Sequence, residues 1–347
     1  MSMRHSAASP HLPVDLKDFA SDVEYYLTLE PRQLPSRYLY DALGSALFDA
    51  ICELPWYRIT RAELGLLDTH GRAILAKSAP LSRIVELGPG NGTKLLTLIQ
   101  AGRHGPRHVD HAGPANHLRQ GYGGQEGHYV PLHLHLIDVS ANALEHAGQA
   151  LAALDDVEIV KHQTTYENGL REVARTGVRT LVLFLGSNIG NFDRPGADAF
   201  LGSIRAALGP GDDLLVGADL VKPERELLLA YDDPLGVTAA FNRNLLVRIN
   251  RELGGDFDVD AFGHRAIWNA ADSRVEMHLV SARRQAVRVP RASLEVRFEA
   301  GETIWTESSY KYEAPAVAAM LERASFRPLA QWIDERARFA LTLVEAG

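Results

Sequence analysis

Apolar residues recur at helical spacing between Asp15 and Leu29, at Leu16, Phe19, Val23 and Tyr26, which predicts an amphipathic helix. A turn at Leu34-Pro35-Ser36 leads to a second predicted helix over Tyr38–Leu54, ended by Pro55, and a third follows over Ala62–Ala79. The pattern then shortens. Strands are predicted at Arg83–Leu87, Leu132–Asp138, Val157–Val160, Thr180–Leu185 and Asp213–Asp219. Helices are predicted at Leu95–Ala101, Ala141–Leu154 and Pro195–Leu208. Strands alternating with helices imply an α/β unit, a parallel sheet covered on both faces. After Lys222 the alternation stops. Glu226–Arg251 reads as helix broken near Pro234-Leu235-Gly236, followed by strands at Arg274–Arg283, Leu294–Phe298 and Thr303–Tyr312. A helix at Pro315–Ala324 and a last strand at Arg338–Val344 complete an α+β tail. Residues 1–13 have no such pattern and are expected to be a frayed terminus.

The chain has 347 residues, enough for two domains, and 46% of them are hydrophobic, enough for a sizeable core. The change of texture sets the expected boundaries: one domain over 63–221, the other built from 1–62 with 222–347. A formal net charge of −8 argues against a nucleic-acid surface, since phosphate contacts need clustered Lys and Arg. With Cys52 as its one cysteine the chain cannot staple itself or build a thiolate metal site, and a reducing cytoplasm is the expected setting. No apolar run is long enough for a membrane span, and the start carries no apolar stretch of a secretory leader.

Residues 103–128 are rich in Gly, His and Pro, lack periodicity, and interrupt the expected short connection into the second strand. They read as a low-complexity surface insertion. Seven of the 14 histidines fall between His104 and His135, but irregular spacing without a carboxylate or thiolate pattern favours a solvated loop over a metal site.

Chemistry gathers at strand ends. Glu86-Leu87-Gly88-Pro89-Gly90-Asn91-Gly92 joins the first strand to a helix, and glycines there let backbone approach a ligand. The spacing is G-x-G-x-G, without the third glycine position of the dinucleotide fingerprint, and it suits S-adenosylmethionine (SAM), which has no pyrophosphate. Asp138 ends the second strand, where an acid can accept from both ribose hydroxyls of either cofactor. Leu181–Leu185 runs into Gly186-Ser187-Asn188-Ile189-Gly190-Asn191, polar residues at the carboxyl end of a central strand.

Four segments make a more specific signature: YDALGSALFDAI, LFLGSNIGN, AYDDPLGVTAAFNRN and TESSYKY. From about Leu34 to the C-terminus, the insertion apart, the chain resembles the histidine Nα-methyltransferases of ergothioneine biosynthesis. The resemblance implies a Rossmann-like class I methyltransferase domain with an α+β substrate-binding domain, and a SAM-dependent trimethylation of the α-amine of L-histidine to hercynine. It also implies a cytoplasmic monomer acting on a small molecule, with neither nucleic acid, membrane nor metal. For the cofactor it implies Gly88, Gly90, Lys94, Asp138, Thr165, Tyr166 and Gly186. For the substrate it implies Tyr57, Asn191 and Tyr231, the last two on the carboxylate, and Met277, Glu307 and Ser309 around the imidazole. Tyr40 and Tyr57 are the tyrosines implied in catalysis, Tyr40 through water. Two places depart from the family pattern. Trp56-Tyr57-Arg58-Ile59 stands where the family has Glu-Tyr-Tyr-Pro, and Thr165 stands where it has an acid at the adenine.

The residues agree with this chemistry. An imidazole offers one N–H donor and one acceptor, and a glutamate and a hydroxyl two apart on a strand share a face. The alternatives at this stage are another aromatic amino acid such as tryptophan, a non-catalytic SAM-binding protein, and a nicotinamide-dependent oxidoreductase, which the missing glycine disfavours.

Overall fold

The computed structural model describes residues 16–104, 131–173 and 177–347. The expected frayed start and nearly all of the expected insertion lie outside the described residues. The described chain divides into two units. The first comprises residues 16–58, 190–192 and 221–311, the second 59–189, 193–220 and 312–347.

The first unit opens with helix α1 (Leu16–Leu27), which buries Phe19, Val23 and Leu27 as its spacing predicts. A two-residue strand β1 (Arg32–Gln33) follows. The predicted second helix begins later than expected. Ser36–Leu39 forms a 3-10 turn, and α2 (Ala42–Glu53) starts only after Asp41, whose carboxylate caps the Gly44 amide.

The second unit begins with α3 (Ile59–Lys77). Then come β2 (Arg83–Leu87), α4 (Thr93–His104), β3 (Leu132–Asp138), α5 (Ala141–Leu151) and β4 (Val157–Gln163). Next are α6 (Tyr166–Val173), β5 (Thr180–Phe184), α7 (Arg194–Ala207) and β6 (Asp213–Asp219). β2, β5 and β6 are buried along their whole length, as strands covered on both faces must be. The short α6 carries a glycine mid-helix and is not evident from the pattern alone.

The chain returns to the first unit with α8 (Glu224–Tyr231) and α9 (Val237–Leu253), separated at the Pro234–Gly236 break that the sequence predicts. Five strands follow: β7 (Phe262–Asn269), β8 (Arg274–Ser281), β9 (Gln285–Val289), β10 (Leu294–Phe298) and β11 (Thr303–Tyr310). They make a four-stranded sheet in the order β1-β11-β8-β7 and a β9–β10 hairpin. α9 packs against α2, β7 and β8. β7 and β9 escape a sequence reading because β7 is half-buried with no clean alternation, and β9 is short.

One expected boundary is corrected. The tail after Lys311 does not belong with the substrate segment. Helix α10 (Ala314–Arg323) and strands β12 (Phe326–Asp334) and β13 (Phe339–Ala346) join the second unit. The seven-stranded sheet has the order β12-β13-β6-β5-β2-β3-β4. Its β2–β6 portion is parallel, and β13 runs antiparallel to β6 from Phe339 opposite Asp219 to Glu345 opposite Asp213. The physical reason is burial: FALTLVEA is apolar on both faces, so it needs an interior place in a covered sheet. Helices α3, α4 and α5 form one contiguous layer of this unit, and α6, α7 and α10 the other. The α/β class is the expected one.

Candidate active site

In the second unit the ligand-facing chemistry sits at the carboxyl ends of β2, β3 and β5, where open parallel sheets bind ligands. Gly88 and Gly90 after β2, and Gly186 after β5, all have positive φ (+72°, +56° and +76°), which L side chains rarely adopt. A Cβ on Gly88 would lie 2.5 Å from the Tyr166 hydroxyl, whereas one on Gly90 would meet nothing within 4 Å. Gly90 thus leaves open space beside the turn, room for a ligand against bare backbone.

Three carboxylates frame this loop. Glu63, on α3, is fully buried; both of its oxygens lie 2.9 Å from the Gly186 amide, and Lys94 donates to it at 2.7 Å. Sequence reasoning missed Glu63. The only trace is Gly217 inside apolar β6, where a Cβ would collide with the Glu63 carboxyl. Glu86 is buried, and its Oε2 has no hydrogen-bond partner among the described residues. Burial pushes its pKa up to about 8, with Lys94 pulling down and Glu63 and Asp138 pushing up. Asp138 accepts the Ser140 amide at 2.8 Å, and burial lifts it to about 6 despite its backbone hydrogen bonds.

These residues fit SAM. The unsatisfied Glu86 oxygen, the open space at Gly90 and the strand-end Asp138 answer a ligand carrying positive charge and ribose hydroxyls. Thr165 and Tyr166, expected at the cofactor, are both held by the fold of the second unit. The Thr165 hydroxyl caps α6 by accepting the Asn168 amide, and Tyr166 is buried against Phe184 and Phe200 with its hydroxyl under Gly88.

The first unit gathers most of the other predicted residues. Tyr40, Tyr57 and Tyr231 belong to one aromatic cluster completed by Phe48 and Phe241, with ring centroids 5.4–6.3 Å apart. The two phenylalanines are visible in the sequence only as apolar helix positions, which nothing distinguishes from ordinary core. Arg58 brings no charge among these tyrosines, since it is exposed and pairs with Glu226 at 3.0 Å.

Strand β11 supplies the polar end. Glu307 pairs with Met277 and Ser309 with Val275, but Trp305 pairs with His278, so one residue is inserted between Trp305 and Glu307. This bulge turns Glu307 away from the face of Trp305 and onto that of Met277. Glu307, Ser309 and Met277 therefore share one face, with Ala266 opposite Met277 on β7. The Glu307 carboxyl makes no hydrogen bond among the described residues, and burial lifts it to about 7 against the pull of Lys311. Lys311, buried and not predicted, donates to the Tyr231 hydroxyl at 2.8 Å and to Ser309 Oγ at 2.9 Å. His264 on β7 donates from Nε2 to the Tyr231 carbonyl at 2.8 Å and meets Asn242 at Nδ1, and burial lowers its pKa, so it anchors the end of α8 as a neutral ring. Asn191 ends the 3-10 turn Asn188–Asn191.

Among the described residues no group of three or more His, Cys, Asp or Glu is placed to hold a metal ion, and no helix is long and apolar enough to cross a membrane. The family model described as histidine-specific methyltransferase, SAM-dependent, matches residues 19–346. The chain is 42% identical to the histidine N-alpha-methyltransferase of Mycolicibacterium smegmatis over 323 residues, 93% of each chain. It is also 42% identical to that of Mycobacterium tuberculosis over 345 residues, 98% of this chain and 99% of the relative. Ergothioneine biosynthesis protein 1 of Schizosaccharomyces pombe is 27% identical over 317 residues, 88% of this chain and 38% of that protein.

Proposed function

We propose a reaction for this chain, which belongs to the SAM-dependent, histidine-specific methyltransferase family: three successive methyl transfers to the α-amino nitrogen of L-histidine, giving hercynine for ergothioneine biosynthesis. The observation that carries the substrate is the face shared by Glu307, Ser309 and Met277. A carboxylate and a hydroxyl complement the two nitrogens of an imidazole, and an apolar thioether lines the ring without competing for its protons.

SAM supplies a methyl group on a sulfonium, a leaving system that needs no covalent enzyme intermediate. The second unit holds it through Gly88, Gly90, Lys94, Asp138 and Gly186, with Asp138 accepting from the ribose and Glu86 facing positive charge. Tyr166 and Thr165 hold the shape of that pocket. In the first unit Asn191 and Tyr57 take the substrate carboxylate, while Tyr231, expected there too, has its one hydroxyl hydrogen given to Ser309 and lines the site beside Tyr57. The amine must be neutral to attack, although an α-amino group is largely protonated near pH 7. Tyr57 and Tyr40 give its proton a route through hydroxyls and water. An aromatic wall without a carboxylate suits three rounds, because it does not clamp the amine as it gains methyl groups. Alignment of the lone pair with the methyl carbon supplies the rate. The same reading makes the chain a cytoplasmic monomer, free of nucleic acid and membrane, in keeping with its charge of −8 and its one cysteine.

The test is incubation with SAM and each of the common amino acids in turn, followed by mass spectrometry. Histidine alone should gain up to three methyl units. Methylation of tryptophan in preference to histidine overturns the substrate, and SAM binding without any product overturns the activity.

A further inference from the structure

Lys311 is one of the few buried cations in the first unit, and its surroundings are unusual. Its ammonium sits 4.7 Å from the centroid of the Tyr231 ring and donates to both the Tyr231 hydroxyl and Ser309 Oγ. Those two hydroxyls are bonded to each other at 2.8 Å, Tyr231 donating. Three polar groups thus close a ring. An ammonium can only donate, whereas each hydroxyl has one hydrogen and two lone pairs. A phenol is the more acidic hydroxyl, so Tyr231 gives its hydrogen to serine and not the reverse. Ser309 then has both lone pairs filled, one by Lys311 and one by Tyr231. Its single remaining capacity is its own hydrogen.

We infer that Lys311 is a positioning residue that sets the polarity of the ring site, making Ser309 an obligatory donor so that only a ring nitrogen without hydrogen can face it. The proposal rests on the reading of Glu307 and Ser309 as the imidazole contacts. The other ring nitrogen, which carries the hydrogen, goes to Glu307, a group with a free carboxyl on the same face. The site therefore reads a neutral imidazole in one orientation. A ring with C–H in place of the acceptor nitrogen leaves the Ser309 hydrogen unpaired, and such mismatches give large discrimination. Without Lys311 the serine regains a lone pair and can rotate to accept, and the orientation rule is lost.

The test compares kcat/KM for L-histidine with that for a pyrrolylalanine, which keeps a ring N–H but has C–H where the acceptor nitrogen was. Wild type should prefer histidine by about a hundredfold or more. Lys311→Met should cut that preference by about tenfold or more, through KM and not kcat, with SAM affinity by calorimetry unchanged within about twofold. In a Ser309→Ala background the same substitution should change the preference by less than about twofold, because the group through which Lys311 acts is gone. Lys311→Gln keeps a neutral donor and guards against a Met variant that fails to fold. It should hold the preference within about threefold of wild type. An unchanged preference in Lys311→Met, its loss in Lys311→Gln, or a full effect of Lys311→Met without Ser309 overturns the role of Lys311. A wild-type chain that ignores histidine overturns instead the substrate reading on which it rests.

Discussion

Glu63→Gln should weaken both the second unit and its hold on SAM. The carboxylate is fully buried, lies 2.9 Å from the Gly186 amide through each oxygen, and takes the Lys94 ammonium at 2.7 Å. Glutamine keeps an oxygen for the Gly186 amide but turns an N–H toward Lys94, donor against donor. Removing one partner of a fully buried pair costs about 3–5 kcal/mol. Lys94 keeps 23% of its side chain accessible, so water recovers part of that, and the expected loss is about 2–3 kcal/mol. For a unit of this size this lowers the melting temperature by roughly 4–12 °C. Gly186 at φ +76° and Lys94 both belong to the proposed cofactor pocket, and their displacement should raise the Kd for SAM about tenfold, or about 1.4 kcal/mol.

Urea titration and calorimetry with SAM measure the two effects separately. The double variant Glu63→Gln/Lys94→Met removes the stranded charge and should be no less stable than Glu63→Gln alone, a large coupling in the double-mutant cycle. Stability of Glu63→Gln within about 0.5 kcal/mol of wild type, or simple additivity of the two substitutions, would refute the reasoning.

Asp138→Asn should weaken SAM by about 1.5–3 kcal/mol through loss of a charged acceptor, and calorimetry showing unchanged affinity removes Asp138 from the pocket. Burial pushes Asp138 up to about 6 from its ordinary 3.8, so SAM affinity should fall as the pH drops through about 6. The sign for stability is opposite: the fold binds this proton more tightly than the unfolded chain does, so this group's contribution declines as pH rises from about 4 through about 6. Glu307→Ala/Met277→Val should lose most histidine methylation and gain measurable tryptophan methylation, since a carboxylate and side-chain volume both go. Wild-type histidine turnover in that variant would place the ring elsewhere.

The sheet of the second unit was legible because its code is local. Arg83–Leu87, Leu132–Asp138 and Asp213–Asp219 are each short segments rich in Leu, Ile and Val, and all three are observed over those spans. The tail misled because its strands are set by a distant partner. β13 is an apolar run that would suit any sheet, and Pro328 makes β12 unlike a strand although it is an edge strand with an irregularity at that proline. In the site, the i, i+2 relation of Glu307 and Ser309 could be read directly, but their face could not. It depends on the residue inserted after Trp305, and nothing in the polarity of Ile304-Trp305-Thr306-Glu307-Ser308-Ser309 announces a bulge. Lys311 and Glu63 were beyond reach for a different reason. A charged residue is expected outside, and only the geometry of Tyr231 with Ser309, or of Gly186 with Lys94, explains why these two are within.

What separates supporting carboxylates from ligand-facing ones is how far each is satisfied. Glu63 has every oxygen engaged by Gly186 and Lys94, and its task is to hold a turn. Glu86, buried to the same degree, keeps an oxygen with no partner among the described residues and is pushed up to about 8 by burial. A buried group left so costs about 1–3 kcal/mol, a penalty that a fold kept for stability alone could remove with an apolar residue. The first unit repeats the contrast. Ser309 Oγ accepts from both Lys311 and Tyr231, while the Glu307 carboxyl, on the same face, has no hydrogen bond among the described residues and is lifted to about 7 by burial. In each unit, then, a group whose lone pairs are already engaged lies beside a carboxyl that only an incoming donor can complete. That donor is cationic or ribose-bearing at Glu86 and Asp138, and a ring N–H at Glu307. The two demands together describe the pair of molecules that the proposed reaction joins.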